Sequence, residues 1–246
     1  MQNLVLIILA LGGLFSTVPA LADGANSFFT APGFPDGPNQ DGVRVNEFGG
    51  ISTNDPEFKT AQLKAANGDA KFQYQLGFWY LCISQNSPAE YALAIKWMKM
   101  AAAQSNAPAE FMFGTLSTNK VDAAKWYQKA AGQGFGPAES LWGQCYLRGE
   151  GIEHDDHKAF GWLQKAAQQG DSVAWARLGE LFKNGQGTPK DLVQAYKWFS
   201  VANMNGHGDT EALKEREAIT ANMTADQIAE AQRQAAMFVP SKEYSF

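Results

Sequence analysis

Cysteine, net positive charge and long apolar runs are all scarce in this sequence, and each scarcity removes a class of protein. Two Cys in 246 residues cannot make a disulfide-stapled mini-protein. The 20 Lys and Arg are outnumbered by 25 Asp and Glu, for a formal charge of −5. A general nucleic-acid binder wants a basic face, so none is expected as a partner. Beyond the N-terminal region no segment holds 18 consecutive apolar residues, so no later stretch reads as a transmembrane helix. What is plentiful is core material. Apolar residues make up 45% of the chain, and seven Trp and sixteen Phe argue against a wholly disordered chain.

The one marked apolar run is Leu4 to Phe15, LVLIILALGGLF. It is about 12 residues long, where a bilayer needs roughly 20. Ser16, Thr17, Val18 and Pro19 follow, then Ala20-Leu21-Ala22. Pro19 ends a helix, and small side chains at Ala20 and Ala22 suit signal peptidase. Residues 1–22 therefore read as a signal peptide, with a mature chain beginning at Asp23 and a periplasmic or secreted location. Lys and Arg are absent from that segment, so the amino terminus alone supplies its positive charge. No stable membrane insertion is expected after its removal. Residues 23–54 are rich in Gly, Pro, Asn and Asp and hold no helical or strand period. Such a segment buries too little to offset its ordering entropy and reads as a flexible leader. Phe28, Phe29, Phe34 and Phe48 stand out within it as candidates to pack on the first helices or to dock elsewhere.

From residue 55 the chain repeats. Trp97, Trp126, Trp162 and Trp198 lie in AIKWMKMAAAQS, AAKWYQKAAGQG, AFGWLQKAAQQG and AYKWFSVANMNG, at spacings of 29, 36 and 36. Each is preceded by an apolar-Gly pair: Leu76-Gly77, Phe113-Gly114, Trp142-Gly143 and Leu178-Gly179. Gly149-Glu150-Gly151 and Gly185-Gln186-Gly187 add a turn in the last two blocks. Blocks 135–170 and 171–206 share nine of 36 positions without a gap, all Ala, Gly, Asp or Trp, which are packing and turn residues. A fixed period in this range means stacked supersecondary units.

Each block reads as two helices, A and B. In the fourth, Asp171 caps helix A, Gly185 and Gly187 break the chain, and Asp191 caps helix B. Ala195, Trp198 and Ala202 share one face of helix B, and Trp198 is expected to fill the space between helices. No β-pattern competes within 55–237. Thr224 and Gln227 fit a capping box in the tail.

The pattern LGxxY/F…GxG…D…A..W…AA..G resembles the Sel-one-like repeat family, related to tetratricopeptide repeats. The resemblance covers roughly 69–206 and implies an all-α fold, a right-handed α/α solenoid of about four helix-turn-helix repeats (69–105, 106–134, 135–170 and 171–206). Block one has CISQNSPAE in place of Gly-x-Gly. Block two is seven residues short and keeps only TLSTNK at its turn. Residues 55–68 and 207–246 read as terminal helical caps, the latter with a charged outer face. The family also implies a non-catalytic scaffold for protein–protein interaction, with an unidentified protein as partner.

Candidate chemistry is sparse. Ser117-Thr118-Asn119-Lys120 matches S-x-x-K, but the S-D-N and K-T-G tripeptides of serine penicillin-recognising enzymes are absent. That match is the basis of the rival reading, a cell-wall or β-lactam-directed enzyme. Two His at i, i+3, His154 and His157, lie beside Asp155, Asp156, Glu150 and Glu153. Asp155 occupies the position Asp191 takes one repeat later, so it reads as a cap, and no metal or cofactor is expected. Cys82 and Cys145, two blocks apart, read as separate thiols.

Stacking dictates the repeat-wide positions, so a partner has to be encoded elsewhere. By resemblance to tetratricopeptide arrays, helices A line a groove. Its stripe falls three before and one after each repeat Gly: Tyr74 and Phe78, Phe111 and Thr115, Ser140 and Gln144, Ala176 and Glu180. The aromatic first half suggests anchoring rings, and the acidic balance a mild preference for basic partners.

Overall fold

The computed structural model describes residues 56–83, 87–204 and 210–241. The apolar run, the leader, Gly206, His207 and the middle of the block-one turn lie outside them. Among the described residues there are eleven helices and no strand. They are α1 Pro56–Ala66, α2 Ala70–Ile83, α3 Pro88–Ala103, α4 Ala107–Leu116, α5 Lys120–Gly132, α6 Gly136–Arg148, α7 Asp156–Gln168, α8 Ser172–Asn184, α9 Leu192–Met204, α10 Thr210–Thr220 and α11 Ala225–Ala236. The pairs α2/α3, α4/α5, α6/α7 and α8/α9 are helices A and B of the four blocks.

Side-chain caps set the starts. Asn119 accepts the Val121 and Asp122 amides, Asp155 the Lys158 amide at 2.9 Å, and Asp171 the Ala174 amide at 2.8 Å. Asp191 accepts those of Val193 and Gln194, and Thr224 with Gln227 closes a capping box. Each satisfies amides that a helix start leaves unpaired. Gly149 (φ 63°) and Gly185 (φ 71°) end α6 and α8 in the left-handed conformation.

The second Gly of each turn has a separate task. A Cβ on Gly151 would overlap the Lys120 carbonyl, and one on Gly187 the Asp156 carbonyl. Lys120 and Asp156 open helix B of the preceding block. The loop of one repeat thus lies directly on the helix-B start of the one before it, closer than any side chain permits. Polar contacts follow the same path. Lys120 Nζ meets Glu150 at 3.0 Å, Gln186 Nε2 donates to Asp156 at 2.8 Å, and His157 Nδ1 lies 2.9 Å from the Gly187 carbonyl.

The repeat Gly of helix A faces the residue after the Trp, not the Trp. A Cβ on Gly77 would come within 2.7 Å of Met98, on Gly143 within 2.9 Å of Leu163, and on Gly179 within 2.5 Å of Phe199. Met98, Leu163 and Phe199 are at most 1% exposed. Trp198 is enclosed as expected, but that role does not extend to the other three blocks. Trp97, Trp126 and Trp162 are half-buried, and only Trp198 is enclosed. The reason is angular: the seam runs through Ala159, Leu163 and Ala166, all fully buried, and the adjacent Trp162 is rotated about 100° to its edge. A lysine lies over each ring, Lys129 at 4.5 Å from Trp126 and Lys165 at 4.2 Å from Trp162. Trp162→Ala is accordingly expected to cost about 1–2 kcal/mol, and Leu163→Ala about 2–5 kcal/mol. Denaturation midpoints of the two variants check the order.

A buried polar staple recurs three residues after the start of helix A. In block one Gln73 Nε2 donates to the Ala65 carbonyl, and Gln104 Nε2 donates to Gln73 at 2.8 Å. In block three Gln169 Nε2 donates to Glu139 at 2.7 Å. In block four the same position is Trp175, whose Nε1 donates to Ala167 at 2.9 Å.

The chain divides into two compact units between Leu116 and Ser117, inside block two at the turn that lost Gly-x-Gly. In the first, Phe58 of α1 stacks on Trp79 at 5.7 Å and meets Tyr80 edge-on at 5.5 Å, so α1 covers the start of the repeats. In the second, one core runs from Leu163 through Trp175, Leu178 and Phe199 to Ile219 and Ala231 of α10 and α11.

Candidate partner-binding surface

The helix-A stripe divides by position. Three before each repeat Gly, the side chain points inward: Tyr74 is 7% exposed, Phe111 8% and Ser140 1%. Ala176, at the same register, is half-buried. One after the Gly, Phe78 is also enclosed at 7%, whereas Thr115, Gln144 and Glu180 are half-buried at the rim. In the first unit Tyr74 and Phe78 pack ring to ring with centroids 6.3 Å apart, and burial pushes the Tyr74 phenol well above its usual range. Tyr74, Phe78 and Phe111 are thus packed in the free protein and do not stand open as anchors. Thr115 turns its hydroxyl back to the Met112 carbonyl at 2.8 Å.

In the second unit the stripe is polar. Ser140 and Gln144 stand one turn apart on α6, and neither the Ser140 hydroxyl nor Gln144 Nε2 has a hydrogen-bond partner, although both atoms are buried. Buried polar atoms are nearly always paired, so two orphans on one helix face mark a place where the repeat does not complete its own bonding. One repeat on, Arg177 Nη1 reaches both carboxylate oxygens of Glu180 at 3.0 and 2.8 Å. Arg177 lies outside the stripe, and its i,i+3 spacing from Glu180 is the readable signal. Beyond it, Lys183 pairs with Glu215 of α10 at 2.6 Å.

The S-x-x-K residues are not assembled as a nucleophile and base. The Ser117 hydroxyl donates to the Asn119 carbonyl at 3.1 Å, while Lys120 Nζ is turned to Glu150. The His and carboxylate cluster is likewise engaged in structure. Asp155 caps α7 and also holds Lys158 at 3.1 Å. The amide and ammonium donors of Lys158 keep the Asp155 carboxyl below its usual range. His154 pairs with Asp156 at 2.9 Å. Among the described residues no group of three or more His, Cys, Asp or Glu is placed to share a metal ion. No described helix is long and apolar enough to cross a membrane.

Both cysteines are free, Cys82 in the first unit and Cys145 in the second. Burial pushes the Cys82 thiol up to about 12. Burial, with Glu150 nearby, pushes that of Cys145 to about 11. The thiolate is the reactive form, so iodoacetamide at pH 8 is expected to label neither residue in the folded protein within minutes and both after denaturation. Intact mass reads the result.

The sequence matches the Sel1 repeat family model over residues 70–106, 110–135, 136–171 and 173–207. No curated protein matches the chain. Among solved structures, a protective antigen of uropathogenic Escherichia coli strains displaying an SLR fold superposes with a TM-score of 0.68 at 25% identity, over 85% of this chain and 44% of the antigen. A Sel1 repeat protein of Oxalobacter formigenes superposes with a TM-score of 0.58 at 27% identity, over 65% of this chain and 48% of the other. This chain thus spans less than half the length of both. Four matched repeats covering more than half of the sequence, on an all-helical array whose repeat Gly and Gly-x-Gly positions do the stacking, place the chain in the Sel1 repeat family.

Proposed function

We propose that the protein is an exported, non-catalytic scaffold that holds a protein partner on its helix-A surface. Sel1 repeat proteins are typically scaffolds of this kind, and the finer reading rests on one observation. The positions shared between repeats are used up in stacking, while the rim positions after each repeat Gly change from repeat to repeat. In the second unit they present Gln144 and Glu180, with Arg177 bound to Glu180. A basic side chain of a partner is the natural competitor of Arg177 for Glu180. With Tyr74, Phe78 and Phe111 enclosed, the polar end of the stripe is the better placed of the two to meet a partner.

Export is inferred from the apolar run and Ala20-Leu21-Ala22. The protein recovered from periplasm or medium is expected to have the mass of a chain beginning at Asp23. Recovery of residues 1–22 on the protein in a membrane fraction contradicts export with cleavage. The scaffold reading is tested with the mature chain as bait. Gln144→Ala and Glu180→Ala are expected to weaken partner capture at least tenfold with helical circular dichroism unchanged. Covalent labelling of Ser117 by fluorescent penicillin contradicts the non-catalytic reading.

A further inference from the structure

The C-terminal tail is bound to the repeats as a short peptide would be. After α11, Pro240 lacks an amide donor and biases Val239 to an extended conformation, and residues 238–241 run back across the second unit. Phe238 enters a slot between Trp175 of α8, at a centroid distance of 6.2 Å and 87°, and Trp198 of α9, at 5.1 Å and 69°. Lys197 Nζ stands 4.4 Å from the Trp198 centroid and 5.7 Å from that of Phe238. Three residues on, the Ser241 amide and hydroxyl both donate to the Gln168 carbonyl, at 2.7 and 2.9 Å. Gln168 ends α7, where carbonyls lack a partner within the helix. The intervening Val239 is 80% exposed, and Met237 before the ring is 69% exposed. The segment is therefore fastened at two points, an aromatic ring and a hydroxyl-bearing residue three positions later.

We propose that this slot, walled by Trp175, Lys197 and Trp198 and closed by the Gln168 carbonyl, is a docking site for extended Phe-x-Pro-Ser/Thr segments of a protein partner, with the chain's own tail as its resident competitor. Edge-to-face contact between Phe and two Trp rings supplies selectivity for an aromatic ring. The paired donation to Gln168 fixes the register of the segment. Lys197, already half-buried beside both rings, is in no salt bridge among the described residues. An acidic residue next to the aromatic ring of an incoming segment would pair with it, and residues 237–241 of the tail carry no carboxylate. A tail attached in cis acts at an effective concentration of roughly millimolar order. It therefore masks the slot from weak ligands and yields only to a segment that binds better or arrives at high local concentration. The site is separate from the helix-A rim and stands whether or not Gln144 and Glu180 bind a partner.

The probe is a fluorescein-labelled peptide of residues 237–246, MFVPSKEYSF, titrated by anisotropy against the full chain and against its Phe238→Ala variant. The variant is expected to bind the peptide at least tenfold more tightly than the wild type, and a peptide carrying Ala for its Phe is expected to lose that binding. Equal affinity for both proteins, or no binding to a variant that keeps wild-type circular dichroism, overturns the proposal. If Phe238→Ala loses helical content, Ser241→Pro decides alone. It removes both donors to Gln168 and leaves the ring, and is expected to raise peptide affinity several-fold. No rise in that folded variant overturns the proposal.

Discussion

Phe199→Ala is expected to destabilise the second unit by roughly 3–5 kcal/mol, the range for deleting a fully buried large aromatic side chain. Phe199 is 1% exposed, and its ring lies against the one face of α8 that has no side chain, at Gly179. The methyl of Ala at 199 leaves a void that neither backbone can close, because the loop contact at Gly187 fixes how deeply the repeat sits on the one before it. Repeat arrays lose stability through nearest neighbours. Amide exchange is therefore expected to quicken across α8 to α11, while α1 to α4 keep their protection. A denaturation midpoint within error of the wild type contradicts the interlock.

Gly187→Ala is expected to cost about 3 kcal/mol, although it adds only one methyl group at a surface turn. Two penalties combine. The left-handed conformation at φ 67° disfavours an L side chain by about 1–2 kcal/mol. The added Cβ also meets the Asp156 carbonyl, and the loop has to lift off α7 at an overpacking cost of about 1–3 kcal/mol. Lifting it strains the Gln186–Asp156 and His157–Gly187 contacts as well. Gly185→Ala shares the positive φ, but its Cβ would lie 3.2 Å from Lys190 Cβ and 3.3 Å from the Lys190 amide nitrogen, a tight contact that a shift of a few tenths of an ångström relieves. It is expected to cost only the conformational part. Midpoints of the two single variants separate the terms, and equal losses contradict the loop-on-helix account.

Gly185 and Gly187 separate what is local in the sequence from what is not. Gly185 and Gly187 were legible as a helix stop, because a positive φ is a local property. The closeness of Gly187 to Asp156 was not, since it depends on how one repeat lands on another. The Trp at each repeat was legible as periodic, but periodicity alone does not say which of two adjacent residues points into the seam. Met98, Leu163 and Phe199 differ in type, so they leave no repeating letter, while the edge-lying Trp does. The caps at Asp155, Asp171, Asp191 and Thr224 were readable from residue type and spacing. For the candidate surface, the register of the stripe relative to the Gly was readable, and its depth was not. Tyr74 and Phe111 stand at the inward position, where a ring fills space between helices, and the position after the Gly reaches the rim in Thr115, Gln144 and Glu180. The bond from Ser241 to Gln168 joins residues 73 apart and has no local signature at all.

Helix-B residues build the array, and we propose that the rim of helix A meets the partner. Site-specific photo-crosslinking tests this most directly. A benzophenone side chain is placed at Gln144 or Glu180 on the helix-A rim, and at Gln128 or Gln164, exposed on helices α5 and α7, in the mature chain within its native compartment. One discrete protein adduct from positions 144 and 180, and none from 128 and 164, is the predicted result. Adducts from 128 and 164 with none from 144 and 180 would contradict it.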